Sequence, residues 1–153
     1  LEVEVPFYSE ALHPDGSGKT RVVHIPDRTV RLTCSVLEAM DVSPDQAMCI
    51  SMIGNDMSHK IQDGSTVAVD RSLTHIVDGE IYALEQDGML RIKYVYRLPN
   101  NGLRLRSHNH LESADEVFSA AEVQAQQIRI LGWVFWWSTL NRRRPPMPYT
   151  LEE

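Results

Sequence analysis

Apolar and polar residues alternate with a period of two along most of this chain, which predicts strands, and one stretch switches to helical spacing. Glu2-Val3-Glu4-Val5 alternates and stops at Pro6, predicting a short edge strand, because proline cannot donate to a ladder. Tyr8 to Lys19 is rich in Pro, Gly, Asp and Ser and predicts a loop, and Thr20 to Ile25 reads as extended up to Pro26. From Leu32 to Met40, the residues Leu32, Val36, Leu37 and Met40 recur at helical spacing, and Ser43-Pro44-Asp45 supplies the turn that closes a short helix.

The pattern is densest in the middle. Met48 to Ile53 is an apolar run that enters a glycine turn at Gly54, and a short polar crossover follows. The chain turns again at Asp63-Gly64 and leaves through Val67-Ala68-Val69. Strand, tight loop, strand is a way to present a few side chains at a sheet edge, and loops held by rigid strands are where chemistry tends to sit. Gly79 to Leu84 and Met89 to Leu98 flank Gln86-Asp87-Gly88 as a hairpin, and Pro99-Asn100-Asn101-Gly102 turns the chain into Leu103 to Arg106. Ser113 to Gln127 is polar with scattered Ala and carries no readable period. Ile128 to Trp137 is the last strand. Alternation would put Trp133, Phe135 and Trp137 on one face and Val134 and Trp136 on the other, so both faces need cover. The sum is a mostly antiparallel β domain with one short helix over residues 1–140. A basic, proline-rich tail of residues 141–153, beginning around Arg142-Arg143-Arg144-Pro145-Pro146, is expected to be flexible.

Composition narrows the function more than the fold. The 153 residues suffice for one domain with a real core, and 42% hydrophobic content excludes a disordered or fibrous chain. Fifteen basic against twenty-one acidic side chains give a net charge of −6, which argues against this piece gripping a nucleic-acid backbone. Two cysteines, Cys34 and Cys49, cannot build a disulfide framework and read as small buried hydrophobes. No apolar run approaches the roughly 20 residues of a membrane span, and no signal peptide is visible, so a cytoplasmic location without membrane partners is expected. The first residue is Leu, not Met, so a preceding portion is expected to be missing.

Gly54-Asn55-Asp56-Met57, then Ile61-x-Asp63-Gly64 and Val67-x-Val69-Asp70, resemble the self-cleaving repressor family of LexA-type repressors, lambda-type phage repressors and UmuD-like mutagenesis proteins. Its pattern is G-[DN]-S-M, a few residues, I-x-D-G-D and a strand. Further pieces follow in register. Val5-Pro6-Phe7-Tyr8 resembles the opening V-P-x-Y, and Val77 to Ala83 the D-G-x-I-Y strand. Arg91-Ile92-Lys93 resembles the V-K strand, Leu103 to Asn109 the L-x-L-x-S-x-N segment, and Ile130 to Val134 the final I-x-G-x-V. The resemblance spans residues 5 to 137 and implies a LexA-like, signal-peptidase-like twisted β fold. It also implies a preceding helix-turn-helix domain through which a homodimer, or a higher homo-oligomer, binds operator DNA.

In that family the Ser of G-x-S-M is a nucleophile and the strand Lys its general base, cutting an Ala-Gly or Cys-Gly bond in the protein's own linker. Lys93 matches the base, and the nucleophile position holds Asp56. An aspartate has no hydroxyl to deprotonate, and its attack on a peptide carbonyl would have to form a high-energy anhydride. Its anion also favours the charged ammonium of Lys93, which cannot accept a proton. An Asp56–Lys93 ion pair is expected in place of the dyad. No Ala-Gly or Cys-Gly lies between Ser9 and Gly16. Both departures imply a repressor domain that has lost self-cleavage, with induction passing to another trigger such as an antirepressor protein.

The rival sites are weaker. Ser58 could replace the nucleophile, but a shift of two positions across a tight turn moves the hydroxyl by several ångströms, so local backbone bonding is the expectation. Asp63 and Asp70 read as turn and strand-end residues beside Asp56, not as an acid dyad or metal site. His108-x-His110 with Glu112 has ligand-type spacing if extended but lacks further Cys or His, so no metal or cofactor is expected. His59 reads as exposed. Trp133, Phe135 and Trp137 are candidates for a homodimer surface, because the resembled family uses this end of the domain to dimerise. The arginines of the tail could add phosphate contacts.

Overall fold

The structure is a computed structural model that describes residues 1–141 and 143–152. Among these residues nine strands form one mixed sheet. They are β1 (Glu2–Leu12), β2 (Thr20–Thr33), β3 (Ala47–Ser51), β4 (Thr66–Asp70), β5 (Glu80–Gln86), β6 (Met89–Leu98), β7 (Gly102–Arg106), β8 (Glu116–Phe118) and β9 (Arg129–Ser138). Their spatial order is β2-β1-β3-β4-β9-β5-β6-β7-β8. All pairings are antiparallel except β1 with β3, which meet in parallel at Phe7 and Cys49. The domain is mostly β, as the alternation predicts.

The N-terminal third departs from its pattern. β1 continues through Tyr8 to Leu12, where loop was expected, and pairs with a β2 of 14 residues. It lies between β2 and β3 and is not an edge strand. The prolines are accommodated by a break in register: Pro6 faces Thr29 and Tyr8 faces His24, so residues 25–28, with Pro26 among them, bulge against Phe7. A missing N–H costs least where the ladder is already interrupted. Asp27 takes a positive φ of 63° there, and the Arg28 guanidinium lies 3.7 Å from the centre of the Phe7 ring.

Among the described residues two α-helices stand where one was expected. α1 (Cys34–Ala39) starts later than the periodicity suggests, because Leu32 and Thr33 still belong to β2 and the Thr33 hydroxyl caps the Val36 N–H. α2 (Ala120–Ala125) lies in the stretch with no readable period. Ser119 and Glu122 form a reciprocal capping box at its start.

Three apolar clusters support the sheet. Met48, Ile50, Met57, Ile61, Val67, Val69 and Val134 fill one, and Val5, Phe7, Leu37, Cys49 and Phe135 fill a second. Tyr82, Leu84, Val95, Leu105 and Phe118 fill the third. The expected alternation in β9 fails because Phe135 is the extra residue of a bulge between the Val69–Val134 and Ala68–Trp136 pairs. Phe135 and Trp136 therefore both join the second cluster, while Trp137 packs with Val134 against the first. Gly132 is needed here, since a Cβ would collide with the Asp70 carbonyl. Residues 139–141 and 143–152 carry no regular structure, and Arg142 lies outside the described residues.

Candidate functional site

The turn between β3 and β4 is built from both ends. Gly54 enters it at φ 92° and its N–H donates to Asp63 Oδ1 at 2.7 Å. Gly64, also at positive φ, donates to the Met52 carbonyl at 2.7 Å. Between them Met57 and Ile61 are fully buried, and the Ile61 N–H donates to the Met57 carbonyl at 2.8 Å. Two apolar pegs and two glycines thus fix a loop whose other residues are polar, and Asp56 precedes the first peg.

Lys93 reaches this loop from β6. It is 3% exposed, and Nζ donates to Asp56 Oδ2 at 2.9 Å and to Ser107 Oγ at 2.6 Å, with Glu116 Oε2 at 4.0 Å. A buried ammonium has three N–H donors to satisfy; Asp56 and Ser107 take two, and Glu116 adds a longer charge contact. Glu116 is held in turn by Arg91, whose Nη1 and Nη2 donate to its two oxygens at 3.0 and 2.7 Å. The Asp56 side chain is 43% exposed, and its backbone carbonyl accepts from the Asn109 N–H at 3.0 Å. The expected contact between Asp56 and Lys93 is present.

Ser107, Glu116 and Arg91 were not assigned roles from sequence. Ser107 was within reach of register counting: β6 and β7 pair Tyr94 with Arg106, so one step further sets Ser107 opposite Lys93. Glu116 was not, because β8 lies in the segment without a readable period.

The rival residues fall elsewhere. The hydrogen bonds of Lys93 go to Asp56 and Ser107, not to Ser58, whose N–H donates to the Asn55 carbonyl. Asp63 braces Gly54. Asp70 is buried and accepts from the N–H and hydroxyl of Ser72 at 2.9 and 2.6 Å. His108, Asn109 and His110 lie in a turn, not an extended strand. His108 Nδ1 meets the Tyr94 hydroxyl at 2.8 Å, and His110 Nδ1 donates to the His108 carbonyl at 3.2 Å. His59 is exposed. No group of three or more His, Cys, Asp or Glu among the described residues is arranged to hold a metal. Cys49 is buried on β3, and burial pushes its thiol up to about 12. No helix among the described residues is long and apolar enough to cross a membrane. Trp133 is half-buried with Nε1 donating to Glu80 Oε1 at 3.0 Å, while Phe135 is core and Trp137 lies beneath Lys60.

Beside Asp56 opens a cleft of about 260 Å³ lined by Ser9, Glu10, Ser51, Met52, Arg91 and Ile92 among others. The far part of the β1–β2 hairpin forms one wall. It is fastened by the Thr20 hydroxyl donating to the Gly88 carbonyl at 3.0 Å and the Val22 N–H donating to Glu85 Oε2 at 2.8 Å. A half-exposed carboxylate ion-paired to a buried lysine therefore lines this cleft.

Comparison with known proteins agrees with this geometry. Residues 8–135 match the family described as Peptidase S24-like. The chain is 51% identical over 145 residues to the HTH-type transcriptional regulator PrtR of Pseudomonas aeruginosa, covering 95% of this chain and 57% of that protein. It is 36% identical over 148 residues to the repressor protein CI of Enterobacteria phage phi80, covering 94% and 59%. The chain thus spans somewhat more than half the length of these relatives. It belongs to the Peptidase S24-like family, as the motifs in register imply.

Proposed function

We propose that this S24-like chain is the regulatory and self-association domain of a transcriptional repressor that has lost self-cleavage. The observation that carries this reading is the Asp56–Lys93 ion pair at 2.9 Å, in the loop whose sequence resembles the family's nucleophile motif. Lys93 donates to a carboxylate and a buried serine hydroxyl, and the residue at the nucleophile position has no hydroxyl to activate. Ser107, though closest to Lys93, is 1% exposed and meets no peptide from the cleft. Similarity to PrtR and CI supports the repressor assignment. In this reading DNA is contacted by a domain preceding the chain, which agrees with the acidic balance here.

Self-association matters to such a protein because two DNA-reading heads on one dimer match two half-sites and raise each other's effective concentration. Of the three aromatics proposed for the contact, Phe135 belongs to the core. The surface we propose is therefore Trp133 and Trp137, with Leu73 and Val77 exposed around the Trp133 end. The antirepressor is proposed as the inducing partner, since a lost cleavage reaction needs a replacement trigger.

The test is incubation of the full-length protein at alkaline pH, with fragments followed by gel. The parent protein is expected to stay intact. Two fragments that vanish in Lys93→Ala would overturn the reading and favour a working peptidase. Cleavage gained in Asp56→Ser would support it directly. For self-association, sedimentation at micromolar concentration should give a dimer mass, and a monomer would sink that part.

A further inference from the structure

The segment from Ser107 to His110 has two sides. On one, the Ser107 hydroxyl holds Lys93 and the Asn109 N–H holds the Asp56 carbonyl. Its histidines face away from that pair, into a separate cleft of about 270 Å³ formed with Gly79, Tyr94, Tyr96 and Arg106. In a chain with twenty-one acidic residues, this lining contains no carboxylate.

Its donors are also underused. No hydrogen bond within the described residues engages the Arg106 guanidinium, and its buried Nε has only an ion-pair contact, with Asp115 Oδ1. The nearest carboxylate, Asp115, stands 3.5 Å from Arg106 and is shared with Arg104 at 3.8 Å, so one negative charge serves two positive ones. Tyr94 and His108 share one proton between hydroxyl and Nδ1 at 2.8 Å. Whichever atom donates, the pair keeps a second hydrogen, on the imidazole Nε2 or on the hydroxyl, with no acceptor among the described residues. Burial, with Tyr96 beside it, pushes the Tyr94 hydroxyl up, so the phenol stays protonated at neutral pH.

We propose that this cleft binds a phosphate group, with the Arg106 guanidinium, the Tyr94–His108 pair and the Tyr96 hydroxyl around a tetrahedral oxyanion. A guanidinium fork takes two oxygens, and the Tyr94–His108 pair and Tyr96 are left for a third, which a phosphate has and a carboxylate lacks. The phosphate is either free or the monoester of a small ligand whose organic part lies on the two tyrosine rings. Occupancy would be sensed at the Lys93–Asp56 pair through Ser107, which lines the cleft and holds Lys93, and through Asn109, which lies between the two histidines and holds the Asp56 carbonyl. The proposal does not depend on whether that pair is catalytic.

The experiment is an amide NMR titration of the domain with inorganic phosphate and phenyl phosphate, repeated with acetate and with Arg106→Gln and His108→Asn. Saturable shifts at Ser107–His110 are expected with both phosphates, weakened at least about tenfold in Arg106→Gln. Tighter phenyl phosphate binding identifies a monoester, and equal binding identifies free phosphate. Should Arg106→Gln lose its folded spectrum, His108→Asn carries the test with the same expected direction. No saturation up to tens of millimolar, shifts elsewhere on the domain, acetate binding as tightly as phosphate, or unchanged affinity in folded variants would overturn it.

Discussion

The two halves of the Asp56–Lys93 pair are held in opposite ways. Asp56 rides on a loop pinned by apolar pegs and glycine geometry, its own carboxylate left half in water. Lys93 is buried and held by polar contacts, with Ser107 and the Arg91–Glu116 pair packed around its head. The loop therefore keeps its shape whatever residue stands at position 56, whereas the lysine needs an oxygen partner to remain buried. A loop of that kind tolerates exchange of its reactive residue, and an anion is the substitution that leaves the buried ammonium best compensated.

The largest expected effect comes from attacking the apolar side. Met57→Ala removes a fully buried side chain from the first cluster and should destabilise the domain by about 2–5 kcal/mol. Chemical denaturation would measure it. A loss below about 1 kcal/mol would mean that the glycines and hydrogen bonds shape the loop without the peg.

Next in size is the asymmetry across the pair. Asp56→Ala leaves a buried ammonium with Ser107 and a distant Glu116, and should cost about 2–3 kcal/mol, less than a fully buried pair because Asp56 is half exposed. Lys93→Met leaves Asp56 free to hydrate and replaces the ammonium with apolar volume, so it should cost about 1 kcal/mol or less. Denaturation midpoints of the two variants give the comparison directly. Equal losses would show that Asp56 is as dependent on the pair as Lys93 and would break the contrast.

Legibility in the sequence follows the same divide. The loop from Gly54 to Gly64 could be read because its glycines and apolar pegs act locally, and the hairpins around Asp87-Gly88 and Asn100-Asn101 could be read for the same reason. The contact between Asp56 and Lys93 came only with the family resemblance, since 37 residues separate them. The long β1–β2 hairpin was hidden because Pro6 and Pro26 look like terminators, and only the register break between Phe7 and residues 25–28 removes their cost. The β9 bulge at Phe135 was invisible for a similar reason: alternation assumes an unbroken ladder, and the partner strand β4 imposes the fault. α2 could have been placed from Ser119 and Glu122, a capping box of the right spacing in a segment too polar to show a period.

An effect smaller than that of Asp56→Ala tests whether the polar side is a network or a single bond. Ser107→Ala deletes the shortest contact of Lys93 but leaves Asp56 and Glu116 in place, and the vacated space is polar enough to admit a water. The expected loss is about 1 kcal/mol, below that of Asp56→Ala, because the ammonium keeps its charged partner. Combining the two should cost more than their sum, since the last oxygen would then stand 4.0 Å away and be engaged with Arg91. A double-mutant cycle by denaturation reads the excess. Strict additivity would mean that water replaces each lost oxygen independently, and that Lys93 is held by solvent access more than by its neighbours.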